Sequence, residues 1–410
     1  MAGVSIDTFG ASFIKYLPGV TETLENEVLV RRLARNDYRW EGNNISFFVN
    51  VARNHGLGNI ADGGSLPVAD KQDYVEAQAF RKFLYGSVQI TDGALANAAS
   101  TKGAAIDVVS SELGRLLEGM AKYENFMSFR DGTGVVATMA TDVTAAAGAT
   151  FTVDDGRGLW DGATYQLYDS TLATNRGNLT ITSVARALDS NSEVVVTATN
   201  AMPAGATADT DVLVWNNSLN LAITGLDQLI DDASETFQNI NTTTYPRYTS
   251  PVLDNSGTNR ALTPTLFRQM LAMILQESGR KSNKSMKVLC TNWQSIEAEE
   301  LYESELRITP DTKTVGLDAP TFHSSFGRIS VMPDLDAPYN KMFFVDFSEI
   351  YRGVQKELGW RRNKGGGIFN KSDTAAVYKA NVSEVCEYFI KQRNRCGKIE
   401  DLSETIKSAY

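Results

Sequence analysis

The chain of 410 residues has few of the side chains on which catalysis and metal binding usually depend. It contains two histidines, His55 and His323, and neither belongs to a cluster with the spacing of a metal site. We interpret both as surface or structural residues. Glycine-rich phosphate loops and the strained serine turn of hydrolases are also missing. These absences predict no catalytic residue, no metal and no cofactor, and they favour a protein that is not an enzyme.

Long apolar runs are missing as well. No stretch of about 18 apolar residues occurs, which predicts that no helix crosses a membrane. The N-terminus has no apolar run behind a basic stretch, so we expect no signal peptide. The three cysteines, Cys290, Cys386 and Cys396, are an odd number without the spacing of a redox or zinc motif. They indicate a reducing compartment such as the bacterial cytoplasm.

Positive charge is scarce in the middle of the chain. No lysine occurs between Lys122 and Lys281, and residues 141–220 carry a net charge of −6 within a total of −10. A protein that wraps nucleic acid needs a strong basic patch, which this composition argues against. It is compatible with the wall of a container that makes only weak, non-specific contact with DNA, because many phosphate contacts would accumulate affinity.

Residues 1–91 are predicted to form extended, weakly packed segments. Residues 1–40 indicate an arm with one short amphipathic helix at Thr23–Arg35. Two β-like runs, 44–52 and 74–90, flank a glycine-rich polar segment and predict a long two-stranded arm with a flexible tip. Because an isolated two-stranded ribbon is marginally stable in water, the arm needs a surface to lie on. A neighbouring subunit would provide one.

Residues 102–129 carry the clearest helical pattern. The apolar positions repeat alternately at three and four residues, at Ile106, Val109, Leu113, Leu116, Met120, Tyr123 and Met127. A helix of this length is a rod of roughly 40 Å. A coiled coil is the alternative, but the flanking positions are not systematically charged. We favour a spine packed along a sheet, ending in a turn at Asp131-Gly-Thr-Gly.

Residues 141–220 change to threonine, alanine, aspartate, glycine and valine. Short β-like runs separated by turn residues recur at 151–153, 164–168, 179–184, 193–198 and 211–215. They predict a small β-barrel or sandwich inserted into a host domain. A disordered linker is the alternative, which the valine and aromatic content disfavours.

The remaining chain predicts an α+β layer. Helices are expected at 221–237, at 263–279 and at 296–306, and the second has a threonine cap, a proline in its first turn and a terminal glycine. Strands are expected at 287–290, 329–332, 342–346 and 375–391.

Eight short segments along the chain form an ordered set. They are Arg53-Asn-His-Gly-Leu-Gly, Ala61-Asp-Gly-Gly-Ser-Leu-Pro, Tyr85-Gly-Ser-Val-Gln-Ile-Thr, Asp131-Gly-Thr-Gly, Asn259-Arg-Ala-Leu-Thr-Pro, Val288-Leu-Cys-Thr-Asn-Trp, Asn340-Lys-Met-Phe-Phe-Val-Asp and Arg393-Asn-Arg-Cys-Gly-Lys-Ile-Glu-Asp-Leu. This set resembles a subgroup of tailed-phage major capsid proteins, and it covers most of the chain in that family's order.

The resemblance implies an α+β fold of the Hong-Kong-97 type with an inserted small β domain. The implied parts are an N-terminal arm (1–40), an extended β-hairpin loop (41–91), a peripheral domain with a spine helix (92–140), a β insertion domain (141–220), an axial domain (221–351), and peripheral strands with a C-terminal tail (352–410).

The resemblance also implies function and partners. Copies of the chain would assemble in the host cytoplasm into pentamers and hexamers of an icosahedral virion shell around double-stranded DNA, and packaging would drive expansion. Implied partners are the portal protein, a decoration protein and a separate scaffolding protein, since only about 40 residues precede the extended loop. No membrane is implied. The candidate hinge and inter-subunit residues are Gly56, Gly58, Gly63, Gly64, Lys71, Arg81, Arg361 and Arg362. A lysine–asparagine crosslink through Lys71 stays open.

Three other functions remain as alternatives. An encapsulin-like shell of a cellular compartment shares the fold, but the inserted module and the length favour a virus. A secreted β-rich adhesin or tail component would need a repeated pattern, and the sequence has none. An enzyme with an unrecognised site is the third.

Overall fold

The computed structural model describes residues 28–91, 102–140, 150–185, 194–199, 202–203, 210–279, 286–303, 321–324, 327–362, 367–371 and 376–403. Side chains at 36–38, 102–112, 302–303, 321–324 and 327–328 are outside that description. The chain forms two compact units. The first unit comprises Met1–Asn36, Lys82–Leu226 and Val354–Glu387, and the second comprises Asp37–Arg81, Asp227–Gly353 and Tyr388–Tyr410.

Within the described residues the helices are α1 (Leu29–Leu33), α2 (Lys102–Ser128), α3 (Leu226–Leu229), α4 (Pro264–Ser278) and α5 (Asn292–Glu303), with 3-10 turns at Pro246–Tyr248 and Arg393–Arg395. The strands are β1 (Arg35–Arg39), β2 (Asn44–Ala52), β3 (Asp73–Phe80), β4 (Lys82–Thr91), β5 (Val135–Thr138), β6 (Thr150–Val153), β7 (Thr164–Tyr168), β8 (Asn175–Val184), β9 (Val194–Ala198), β10 (Val212–Trp215), β11 (Thr236–Phe237), β12 (Ile240–Asn241), β13 (Val252–Leu253), β14 (Met286–Cys290), β15 (Thr321–Ser324), β16 (Gly327–Pro333), β17 (Met342–Asp346), β18 (Ile350–Trp360), β19 (Phe369–Lys371), β20 (Val377–Ile390) and β21 (Gly397–Ile399).

The long helix α2 packs along a sheet in the first unit, which confirms the predicted spine. Strand β4 pairs with β20, and its side chains alternate between half-buried and exposed. A Cβ atom at Gly86 of β4 would lie 2.6 Å from the sulfur of Met120, so the glycine permits close contact with the helix. The core of this layer includes Val28, Leu113, Leu117, Met120, Ala121, Leu358, Trp360, Ala380 and Val382.

The insertion is a closed, six-stranded antiparallel barrel. Its strand order is β5-β10-β7-β8-β9-β6. A bridge between Met139 and Val153, with a 2.9 Å hydrogen bond from Ala140 N to Thr152 O, joins the last strand to the first. Buried side chains from these strands include Val136, Phe151, Tyr165, Leu167, Leu179, Ile181, Val196 and Leu213. The five predicted β runs are therefore present, and the module is a barrel rather than a sandwich. Its sixth strand, β5, was not predicted and lies before the expected range 141–220, because the chain enters the barrel directly after the turn that ends α2.

Aromatic packing fixes the barrel to the spine helix. The ring of Trp215 lies 5.3 Å from that of Tyr123 on α2, 5.0 Å from Trp160 and 5.1 Å from Tyr165. Gly158 approaches the helix so closely that a Cβ there would lie 2.5 Å from the ring of Phe126. Because these contacts leave no room for an added methyl group, the helix and the barrel are tightly packed against each other.

A six-stranded mixed sheet organises the second unit, in the order β13-β21-β17-β14-β16-β15. Helix α4 packs on it, and the core includes Phe267, Met270, Ile274, Val288, Ile329, Met342, Phe344 and Ile399. The predicted start and end of this helix are confirmed. The Thr263 side chain accepts a hydrogen bond from Leu266 N, and Gly279 ends the helix in the left-handed conformation.

The sequence predicted that the β-like run at 74–90 is one strand of the arm. The structure contradicts this prediction, because the run forms two strands, β3 and β4. It breaks at Arg81, where β3 pairs with β2 in the second unit and β4 pairs with β20 in the first. The buried side chains of β3 are at odd positions, Ala77 and Ala79, whereas the inward positions of β4 are even. This change of phase marks the break, because one continuous strand keeps a single parity on each face.

The helix predicted at 221–237 is also wrong, since only Leu226–Leu229 are helical there. A Cβ atom at Gly225 would lie 2.3 Å from the carbonyl oxygen of Arg130 and 2.4 Å from that of Met127, so the chain passes close to the end of α2 before the short helix α3 begins. The Asp231 carboxylate then accepts a hydrogen bond from Ala233 N, a local bond that competes with helix formation. The N-terminal helix is described only over Leu29–Leu33, and the preceding part of its predicted range lies outside the described residues.

Candidate functional site

The arm, defined as residues 44–80, is an antiparallel hairpin with an alternating pattern of burial. Its register runs from Asn44 opposite Phe80 to Asn50 opposite Tyr74, with an irregularity beside Ala52. Phe47 and Ala77 face the second unit and are buried, whereas Phe48 is 74% exposed. One face of the hairpin therefore packs on the subunit, and the other presents apolar rings to solvent.

Exposed apolar side chains concentrate on this arm. Among the described residues, seven of the fourteen large hydrophobic side chains that are exposed belong to it, namely Phe48, Leu57, Ile60, Leu66, Val68, Tyr74 and Phe80. Single exposed apolar residues are normal on a protein surface, but a concentration on one projecting element marks an interaction site. Leu57 and Val68 at the tip are 86% and 88% exposed.

Hydrogen bonds from Asn54 and His55 to Asp70, here called the clasp, join the two sides of the arm at the base of its tip. Asn54 Nδ2 donates to the Asp70 carbonyl at 2.6 Å, and His55 N donates to the Asp70 carboxylate at 2.9 Å. The backbone N–H groups of His55 and Lys71 hold the pKa of Asp70 below its usual value. A Cβ at Gly56 would lie 2.9 Å from Asn54 Oδ1, so this glycine is needed for close approach within the clasp.

The other predicted hinge glycines lie in the exposed tip. Gly63 has a φ of +74°, a conformation that favours glycine. A Cβ at Gly58 would lie 3.3 Å from Pro67, and one at Gly64 would lie 3.1 Å from the Ala61 carbonyl. Their role as hinges stays a prediction.

The basic residues that were predicted to contact neighbouring subunits lie in both units. Lys71, at the clasp, has a side chain 86% exposed and 3.9 Å from Asp73. Arg81 is half-buried at the break between β3 and β4. In the first unit, Arg361 and Arg362 are exposed just after β18, and Arg361 N donates to Asn381 O at 2.8 Å. Lys71 thus lies in the second unit with the tip glycines, whereas Arg361 and Arg362 belong to the first unit.

A groove of about 1050 Å³ runs along β2 in the second unit. The arm from Phe48 to Asn54 forms one wall, and residues 244–248 and 391–394 form much of the rest. Arg53, Arg247 and Lys391 line it together with Glu277 and Glu349. Burial, and then the nearby Asp232, raise the pKa of Glu277 above its usual value. In the described part of the chain β2 pairs only with β3, and the second half of β2 lines this groove.

A buried ion cluster stabilises the second unit. Lys398 Nζ lies 3.0 Å from Asp227, 2.9 Å from Asp231 and 3.0 Å from Glu400. Lys341 Nζ adds contacts to Asp227 at 2.8 Å and Glu400 at 3.1 Å. Burial alone would raise the pKa of Asp227, but the two lysines outweigh it and hold that pKa below its usual value.

A second cluster anchors α1 in the first unit. Arg31 is fully buried and lies 3.0 Å from Glu124 on α2, 3.3 Å from Glu384 on β20 and 3.3 Å from Glu357. Glu124, Glu384 and Cys386 form a buried group with metal-like spacing, their candidate ligand atoms lying within 4.8 Å of one another. The guanidinium of Arg31 already supplies a cation to both carboxylates, so the arrangement is an ion pair that fastens α1 to the spine.

The comparisons with known proteins identify the family. The model of the SU10 major capsid protein family matches residues 145–363, which is more than half of the chain. The chain belongs to the SU10 major capsid protein family. No curated protein sequence matches it. The confirmed resemblance makes this capsid protein a shell-forming structural protein of a phage.

Solved structures support the same fold. The chain is similar to a subunit of the cyanophage A-1(L) capsid, at 14% identity and a TM-score of 0.57, over 90% of this chain and 91% of that one. It is also similar to the capsid of a native GTA particle, at 9% identity and a TM-score of 0.50, over 92% and 91%. These similarities confirm the Hong-Kong-97-type α+β capsid fold. The family match favours the phage shell over the encapsulin-like and adhesin alternatives, and it is a family of structural proteins.

Two buried, ion-paired residues of this capsid protein have no signature in the sequence. Arg31 and Lys398 look like ordinary surface charges in the sequence, because only the tertiary structure reveals that they are buried and paired.

Among the described helices, none has the length and the apolar character that a membrane span needs. None of the three cysteines forms a disulfide, and all three are buried. Burial raises the pKa of the Cys396 thiol to about 12.

Proposed function

We propose that this capsid protein builds the icosahedral head of a tailed phage from pentamers and hexamers and encloses double-stranded DNA. The observation that carries the proposal is the arm, whose apolar side chains are exposed in the single chain. Burying a large apolar side chain contributes roughly 1.5–3 kcal/mol. Several such residues on one element therefore supply a large part of the energy of an obligate interface.

The chain would divide as the resemblance implies, into an N-terminal arm (1–40), an extended loop (41–91), a peripheral domain (92–140 and 352–410), an insertion (141–220) and an axial domain (221–351). The hairpin of β2 and β3, the spine helix α2, the barrel and the sheet around β14 support this division.

The arm would lie over a neighbouring subunit. Gly56, Gly58, Gly63 and Gly64 would let the tip adapt, while Lys71, Arg81, Arg361 and Arg362 would form polar contacts between subunits. The free edge of β2 beside its groove supports contact with another chain, because an unpaired strand edge is a template for pairing.

The further partners would be a portal protein, a separate scaffolding protein and a decoration protein, with assembly in the host cytoplasm and expansion driven by packaging. Contact with DNA would be weak, because the chain carries a net charge of −10. The acidic barrel would face outward or steady a neighbouring contact.

Polar substitution of the arm tip tests the proposal. In the triple variant Leu57→Ser, Leu66→Ser and Val68→Thr, we expect an unchanged thermal midpoint but a loss of rapidly sedimenting shells. The matched control is Val195→Thr, which changes another exposed apolar residue, on β9. Shells formed by the triple variant at the wild-type yield would contradict the role of the arm.

A further inference from the structure

Among the described residues, the arm makes few hydrogen bonds to the rest of its own subunit. Gln78 N donates to the Gln238 carbonyl at 2.8 Å, and Asn239 Nδ2 contacts the Glu76 carbonyl at 3.4 Å. From Val49 to Val75, the hydrogen bonds among described residues all join parts of the arm to one another. The last hydrogen-bonded tether of the arm is therefore the two-residue loop that contains Gln238.

That loop has an unusual backbone. Gln238 and Asn239 join β11 to β12 and have φ angles of +47° and +65°. Two successive positive φ angles define the tight hairpin turn that asparagine and glycine normally provide. Asparagine tolerates this conformation, whereas a long side chain such as glutamine is rarely found in it. An unfavourable residue at a turn points to a role for its side chain.

The side chain of Gln238 reaches the end of strand β20. With the amide oriented so that both of its atoms are satisfied, Gln238 donates to Ile390 O at 2.9 Å and accepts from Ile390 N at 3.2 Å. It also lies 2.8 Å from the hydroxyl of Tyr248, a buried residue whose hydroxyl in turn donates to Ile390 O. Gln238 thus pairs with the backbone of Ile390 through its side chain and with that of Gln78 through its own carbonyl.

We propose that Gln238 is the positioning residue that sets the direction in which the arm leaves the subunit. Its carbonyl accepts a hydrogen bond from Gln78 N on β3, and its amide ties the turn to the end of β20. Gln238 therefore joins the arm, which also packs on the core through Phe47 and Ala77, to the end of β20 by hydrogen bonds on both sides. This inference rests on the proposed role of the arm in assembly. Loss of the Gln238 amide would leave β2 paired with β3 but would let the hairpin change its orientation on the subunit. Neighbouring subunits would then meet an arm in the wrong orientation.

Gln238→Gly isolates this role, because glycine accepts the positive φ and keeps the carbonyl bond while removing the amide. Hydrogen exchange of the unassembled full chain should show faster exchange at 44–52 and 73–80 by about tenfold, the size expected for losing one or two hydrogen bonds. Exchange at Met286–Cys290 should not change. The matched control is Ser256→Gly, which relieves a φ of +55° in the same unit, at a turn away from the arm.

Unchanged exchange in the arm of Gln238→Gly would overturn the proposal. If that variant does not fold, Tyr248→Phe removes the hydroxyl partner and leaves the turn intact. It should raise exchange in the same arm peptides by a smaller factor, and unchanged exchange there would equally overturn the proposal.

A shell assay on the same variants separates the two proposals. Faster exchange in the arm together with fewer or irregular shells supports both. Faster exchange with shells at wild-type yield and size supports the positioning role of Gln238 and contradicts the role of the arm in assembly.

Discussion

The guanidinium of Arg31 lies 3.0 Å from a carboxylate oxygen of Glu124, although 93 residues separate the two along the chain. Glu384 contacts the same guanidinium at 3.3 Å, and all three side chains are buried. One cation is therefore shared by two buried carboxylates and holds the first described helix, α1, on the spine.

Replacing Arg31 by methionine keeps much of the aliphatic stem but leaves Glu124 and Glu384 buried without their shared cation. We expect a loss of about 3–5 kcal/mol in the free energy of unfolding, the usual effect of breaking a buried pair. Urea denaturation of the purified protein measures it. The control Arg32→Met changes the exposed neighbour and should stay within about 0.5 kcal/mol of wild type. Equal stabilities for the two variants would disprove the anchoring role.

The Lys341–Asp227 contact predicts a specific pH dependence. The pKa of Asp227 in the folded state is below its ordinary value of 3.8, because Lys341 and Lys398 outweigh the effect of burial. Its carboxylate therefore stabilises the fold above that value, and the stabilisation is lost as the pH falls through the lower, folded-state pKa. The stability difference between wild type and Lys341→Gln should be largest near neutral pH and shrink in acid.

Unfolding curves measured at a series of pH values check this difference, in which carboxylates far from the substitution cancel. The control Lys287→Gln changes a half-buried lysine on β14 and should show a difference that does not vary with pH. A pH-independent difference for Lys341→Gln as well would show that Asp227 does not depend on Lys341.

Two glycines near the spine helix should respond in opposite ways to alanine. At Gly114, within α2, an added Cβ meets no atom within 4 Å, so alanine should stabilise the protein by about 0.5–1 kcal/mol. At Gly158, the Cβ would strike the Phe126 ring, and overpacking of this kind destabilises by about 1–3 kcal/mol. Thermal unfolding measures both, and a neutral Gly158→Ala would contradict tight packing of the barrel on the helix.

The cysteines should resist modification in the native protein. All three are buried, and the pKa of Cys396 is raised to about 12, so little reactive thiolate forms at pH 8. We expect iodoacetamide to label them only after unfolding, as read by mass spectrometry of intact protein. Labelling of Cys396 at the rate of a free thiol would show that its environment opens in solution.

Local patterns predicted the elements that local physics controls. Helix α4 starts and ends where Thr263 and Gly279 indicated, because caps act within one turn of the chain. Strand β17 has the predicted bounds, 342–346, because five successive buried residues leave one interpretation for so short a run. Five of the six barrel strands were predicted from turn residues in the same way, and β5 was not.

Features that depend on distant residues could not be predicted. The break at Arg81 depends on β3 and β4 having different partners, β2 and β20, which are far apart in sequence. The prediction of a helix at 221–237 was wrong because the chain packs against the end of α2 at Gly225. The ion pairs of Arg31 and Lys398 and the tie made by Gln238 arise from tertiary packing alone, and periodicity carries no sign of them.

The central claim, that this chain forms a shell, is tested most directly by negative-stain electron microscopy of the purified protein, expressed alone and together with its neighbouring phage genes. We predict closed shells or rings of subunits, and polyhedral heads only on co-expression if a separate scaffolding protein is needed. A monodisperse monomer under every condition would contradict the account.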